Sequence, residues 1–148
     1  MKRHIPGLQG QQDGLLEGTF LVGVNGASYR WHSQKPFFSL RFSVLEPTEF
    51  RDRSISGRLY CTPKALWRLN WFLRDFGYDR ELLGREEVDE KALIGLQGVV
   101  KTVRKVISRC AFLNLESFAP AADWEVIANQ NRVNLAEGNP DDLQLHAD

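Results

Sequence analysis

The chain has 148 residues, 43% of them hydrophobic and 26% charged, the balance of an ordinary soluble domain long enough for one real core. Its 19 Lys/Arg and 19 Asp/Glu cancel to a net charge of +0, and no apolar run approaches the roughly 20 residues that cross a bilayer. The basic start Met1-Lys2-Arg3-His4-Ile5-Pro6-Gly7 lacks the apolar segment of a secretory signal, so a cytoplasmic location is expected.

Residues 1–16 are rich in Gly and Gln and read as a flexible arm. Glu17 to Tyr29 reads as a first strand, with Gly23 and Gly26 permitting a bulge or strong coiling. Arg30 to Pro36 reads as a polar turn. Phe37 to Leu45 is the clearest strand: Phe38, Leu40, Phe42 and Val44 alternate with Ser39, Arg41 and Ser43. A loop with Pro47 follows, Glu46 to Asp52. Arg53 to Cys61 alternates again, Ile55, Leu59 and Cys61 against Ser54, Ser56, Arg58 and Tyr60.

A helix is expected next. Thr62 is a good N-cap residue and Pro63 suits the first helical position. Leu66, Leu69, Leu73 and Phe76 form its apolar stripe, and Gly77 stands where a left-handed terminator belongs. Asp79 to Glu90 holds six acidic residues against Arg80 and Arg85 and reads as a linker with a short helical turn. Two strands close the series, Gln97 to Ile107 and Arg109 to Phe118, joined by a tight turn near Ser108. The last places Leu113 and Leu115 on one face and Phe112, Asn114 and Glu116 on the other. Residues 121–148 read as an acidic, largely disordered tail, with a short docked piece around Trp124 to Ile127.

One helix between the third and fourth of five strands makes the expected fold mainly β. It is a five-stranded Greek-key barrel of the oligonucleotide/oligosaccharide-binding (OB) type, spanning 17–120. The helical stripe would plug its open end. A sheet-on-sheet sandwich is the alternative.

The zero net charge hides a split. Residues 1–120 carry 18 Lys/Arg and 13 Asp/Glu, a balance of +5, whereas 121–148 carry one Arg and six acidic residues, a balance of −5. A basic body suits a polyanion, and an acidic tail can compete for the same groove, recruit a basic partner or merely aid solubility. Cys61 and Cys110 form no metal or disulfide pattern and read as free structural thiols. No phosphate-cradling loop, nucleophile elbow or metal-ligand spacing is present. The group Glu86, Glu87, Asp89 and Glu90 reads as a solvated face. No enzyme activity, cofactor or metal is expected.

Single-stranded nucleic acid needs cations along its phosphates and flat rings under its bases. The outward positions supply both. Arg41, Arg58, Lys101, Arg104 and Lys105 would meet phosphates. Trp31 and Tyr60, with Tyr29 or Phe112, would stack on bases, and Arg30 and Lys35 flank them in the first turn. Each Lys or Arg taken alone also reads as a solvated charge; the joint pattern carries the reading. Trp67 and Trp71 share a helix face nearly opposite the stripe. That face is a self-association or partner surface, or one covered by the arm or the tail.

Several pieces resemble an uncharacterised phage-related family, the domain of unknown function 669, whose members look like single-stranded DNA-binding OB proteins. They are Glu17-Gly18-Thr19-Phe20, Phe38-Ser39-Leu40-Arg41-Phe42 with Val44-Leu45-Glu46, and Thr62-Pro63-Lys64-Ala65-Leu66-Trp67-Arg68-Leu69 with Phe72-Leu73. Ala92-Leu93-Ile94-Gly95, Asn114 and Ser117-Phe118 complete the set, so the resemblance covers about 17–120. It implies an OB fold and single-stranded DNA binding in phage or mobile-element replication or recombination. The acidic tail is similar in kind to that of bacterial single-stranded DNA-binding proteins, but Leu143-Gln144-Leu145-His146-Ala147-Asp148 lacks their acidic-aromatic tip. The expected partner is single-stranded DNA, or RNA, with a homodimer or a replication or recombination protein as a further partner. The alternative is an OB protein-interaction module, adaptor or inhibitor, that uses Trp67 and Trp71 without binding DNA.

Overall fold

Five strands share one antiparallel sheet: β1 (Gly18–His32), β2 (Lys35–Glu46), β3 (Ser54–Tyr60), β4 (Gln97–Ile107) and β5 (Cys110–Pro120). Their order across the sheet is β3-β2-β1-β4-β5. The computed structural model describes residues 2–3 and 15–137; most of the arm and residues 138–148 of the tail lie outside the described residues. Alternation decides the facing as the sequence predicts. Phe38, Leu40, Phe42 and Val44 of β2 are buried with Ile55 and Leu59 of β3, and Arg41 and Arg58 are exposed. The bulge expected near Gly23 and Gly26 falls between Val24 and Gly26.

The turn expected over Arg30 to Pro36 is far tighter. β1 and β2 continue to the pair His32–Lys35, and only Ser33 and Gln34 turn, both left-handed with φ of 50° and 64°. Two left-handed residues match the right-handed twist of the flanking strands, which is why hairpins favour this turn. The β4–β5 turn is the same device, Ser108 and Arg109 at φ 51° and 68°.

The sheet curls until its edges, β3 and β5, approach, but no ladder joins them, so it is not closed into a barrel. The seam is filled by a side chain instead. Leu115 of β5 lies against Gly57 of β3, where a Cβ would stand only 2.7 Å from Leu115 Cγ. Side-chain packing occupies the space that a backbone ladder would need.

The helix between β3 and β4 forms, but later than expected. Thr62 does not cap it. Its carbonyl accepts from Ala65 N (2.9 Å) in a preceding turn, and helix α1 runs Leu66–Asp75 with Ala65 at its N-cap. The buried stripe also differs from the one expected. Leu69, Phe72, Leu73 and Phe76 are buried, while Leu66 is 47% exposed. The C-terminus follows the sequence: Gly77 is left-handed at φ 80°, Tyr78 N donates to Leu73 O (2.9 Å) and Gly77 N to Arg74 O (3.3 Å). That paired pattern satisfies the last carbonyls of the helix. Phe72 and Phe76 then close on Phe42 and Phe118, with ring centroids 4.6–6.2 Å apart, and cover one end of the curled sheet. Gly98 makes room for Phe76, since a Cβ there would meet its ring at 2.5 Å.

The acidic linker holds two short helices, α2 (Arg80–Gly84) and α3 (Glu90–Leu93). Its acids have local work. Asp79 accepts from Glu81 N and Leu82 N at 2.8 and 3.2 Å, and Asp89 from Lys91 N at 3.0 Å, the usual N-cap arrangement. Buried Tyr78 pins the linker: its hydroxyl donates to Glu87 O (3.0 Å) and accepts from Asp89 N (2.9 Å). Past β5 a 3-10 turn, Ala121–Asp123, leads into helix α4 (Trp124–Glu137), so the first half of the acidic tail is helical where disorder was expected. Among the described residues no helix is long and apolar enough to cross a membrane.

Candidate nucleic-acid interface

Residues paired across neighbouring strands share a face, so the ladder register sorts the candidate residues. His32–Lys35, Arg30–Phe37 and Gly26–Arg41 pair between β1 and β2, and Phe37–Tyr60, Ser39–Arg58 and Arg41–Ser56 between β2 and β3. All lie on the face away from the core. Arg30, Lys35, Arg41, Arg58 and Tyr60 therefore form one continuous outer wall. Tyr29 and Trp31 pair with Phe38 and Pro36 and lie on the opposite, core-side face, where the hairpin outruns the core. Tyr29 packs on Phe38 at 5.2 Å and on Trp31 at 6.2 Å. Glu90 accepts a hydrogen bond from Tyr29 N, which sets a carboxylate against the backbone of this stretch of β1.

β4 and β5 divide in the same way. Lys101, Lys105, Phe112 and Asn114 face outward, whereas Arg104 pairs with Leu113 and lies on the core side. Lys101 is already engaged, 3.5 Å from Glu116, though an exposed pair of this kind is weak. Of the eleven candidates, eight are thus on the outer wall and three (Tyr29, Trp31, Arg104) are on the other side.

A groove of about 590 Å³ follows the seam between β3 and β5. Arg58 and Tyr60 line one side, Phe112 and Asn114 the other, and Ala65 and Arg68 of the helix region close it. Its lining residues include no Asp or Glu. Arg58 is held in place: its guanidinium carbon lies 4.5 Å from the centre of the Phe37 ring, and Nη1 donates to Tyr60 Oη at 3.2 Å. Phe37 and Tyr60 are themselves in contact at 5.3 Å. Phe37 itself is buried, 3% exposed beneath these contacts, so the assembly presents the Arg58 cation and the half-buried Tyr60 ring. On the neighbouring pair, Arg41 Nε donates to Asn25 Oδ1 at 3.2 Å.

Sequence reasoning missed Phe37, Arg68 and the Ser39–Ser56 floor. Phe37 looked like the first residue of a strand with no role, although its outward position follows from Phe38 being inward. Arg68 had no sequence signal, because the late start of α1 decides which way it points. It lines the groove, Nη1 donates to Asn114 Oδ1 at 3.5 Å, and its guanidinium lies 5.1 Å from the Trp67 ring.

The tryptophan pair is only partly the bare face expected. Trp67 is 56% exposed and stacks on Trp71 at 6.0 Å. Trp71, however, packs edge-on against Phe118 at 5.8 Å and donates Nε1–H to Asp75 at 2.9 Å. It borders the core rather than opposing it. Cys61 and Cys110 are both free, and burial pushes the Cys61 thiol above its ordinary pKa, which disfavours a thiolate. Among the described residues no group of three or more His, Cys, Asp or Glu is placed to hold a metal ion. No protein-family model matches the chain, and no curated protein matches it.

Proposed function

We propose that this chain is a non-enzymatic, OB-type protein that binds single-stranded DNA with little sequence preference. The carrying observation is the Phe37–Arg58–Tyr60 assembly on the outer wall, facing Phe112 across the groove. Cation and ring alternate along one path, which is what an unpaired strand requires. The strand order supports the OB reading: β3-β2-β1-β4-β5 with β3 beside β5 is the order of such a barrel cut at one seam, and α1 lies at one end. On this reading the protein serves the replication or recombination of a phage or mobile element, as its resemblance implies. Fluorescence polarisation with oligo-dT at two salt concentrations tests the proposal. Binding that weakens steeply with salt is expected, because released counterions drive it. Failure to bind oligo-dT or an unstructured RNA at low salt overturns it.

The exposed Trp67, stacked on Trp71, favours a second reading, a protein-interaction module that uses α1. A chain that ignores oligonucleotides but elutes as a discrete dimer, lost on Trp67→Ala, would support that reading instead.

A further inference from the structure

Arg68 lines the groove, and among the described residues its bonding is unfinished. Its side chain has five N–H donors, and it makes a single hydrogen bond among the described residues, the 3.5 Å contact with Asn114. Nε is buried and has no partner among the described residues, so it is the remaining Nη N–H groups that are left for a ligand in the groove Arg68 lines. The surroundings narrow the ligand. Asn114 Oδ1 is turned to the guanidinium, which leaves the amide NH₂ as the free end. Arg68 offers donors only, and the Asn114 amide NH₂ adds two more. Leu59, Leu113 and Phe112 also line the groove, an apolar surrounding that fits a flat heterocycle better than a hydrated phosphodiester. Its volume of about 590 Å³ lies within the range of about 300–1,000 Å³ that takes a small ligand.

We infer that the β3–β5 groove is a base pocket that favours guanine, with Arg68 reading the base edge. This deepens the single-stranded DNA reading and rests on it. Guanine offers two adjacent acceptors, O6 and N7, to the arginine fork; adenine offers one acceptor beside a donor, which meets donors and is rejected. Tyr60 and Phe112, on opposite walls, supply faces for the ring. Phosphates remain with Arg41 and Arg58 outside the groove floor. The protein then coats any single strand but settles with a guanine in this pocket.

The test titrates a short oligo-dT carrying one central guanine, adenine, hypoxanthine or deazaguanine (N7 replaced by C–H). Guanine should tighten binding about tenfold over adenine, the size of a good bidentate contact. Hypoxanthine, which keeps O6 and N7, should retain the gain, and deazaguanine should lose most of it. In Arg68→Lys the guanine-to-adenine ratio should fall to about one, because lysine keeps the charge and loses the fork. The base-analogue series needs no variant, so it decides even if Arg68→Lys folds poorly. Equal affinity for all four oligonucleotides would overturn the inference and leave the DNA-binding reading standing. So would an Arg68→Lys protein that weakens on every oligonucleotide alike, its guanine-to-adenine ratio unchanged, the mark of a residue that does not read the base. No binding to any of them overturns both.

Discussion

Thr102 is the one buried polar side chain of the described core, and it holds the start of the sheet. Its hydroxyl donates to Leu16 O at 2.6 Å and accepts from Gly18 N at 3.2 Å. Valine fills the same space and satisfies neither group, so Thr102→Val should cost about 1–3 kcal/mol. Urea denaturation measures it, and an unchanged midpoint would show that water reaches both backbone groups. Arg109 gives the opposite sign. A side chain at φ 68° is strained by about 1–2 kcal/mol, while glycine gives back about 0.5–1 kcal/mol in chain entropy. Arg109→Gly should therefore stabilise the fold by up to about 1 kcal/mol; a lower urea midpoint would count against the turn. At this scale the sequence was readable where a residue acts on its own backbone, as Gly77 does. Thr102 could not be read, because its partners lie 84 and 86 positions away.

Helix α1 shows where an element is legible and where it is not. Its existence and its end are written in Leu69, Leu73, Phe76 and Gly77. Its start was misplaced, because Thr62 and Pro63 form a good local start that the fold spends on a turn out of β3. Leu66 is left in solvent and Trp71 packs on Phe118. Truncation separates the two stripes. Phe72 is wholly buried among Phe42, Phe76 and Phe118, so Phe72→Ala should cost about 3–5 kcal/mol. Leu66→Ala should stay within about 0.5 kcal/mol, as exposed substitutions do. Comparable losses in thermal unfolding would restore the original stripe.

On the scale of the whole molecule, the sheet has two sides, and on the proposed reading an unpaired strand follows only one continuously. Alternation made most of the outer wall legible: Arg41, Arg58 and Tyr60 needed no more than a period of two. Trp31 went to the other side because Arg30 to Pro36 was read as a loop, which has no facing, and the structure makes it strand; Tyr29 did so because the bulge between Val24 and Gly26 changes the phase of β1. Exposure then misleads, since Trp31 is 64% exposed yet lies behind the wall. Two substitutions test the choice of side. Tyr60→Ala removes a ring from the wall, and a lost base stack of about 1–3 kcal/mol weakens oligo-dT binding about tenfold or more. Trp31→Ala should change it by less than about twofold, within the scatter of substitutions that touch no ligand. Arg58→Ala should also flatten the salt dependence by about one counterion. The reverse ranking in a polarisation titration, with Trp31 the more damaging loss, would move the strand to the hairpin's inner side and strip the Phe37–Arg58–Tyr60 assembly of its role.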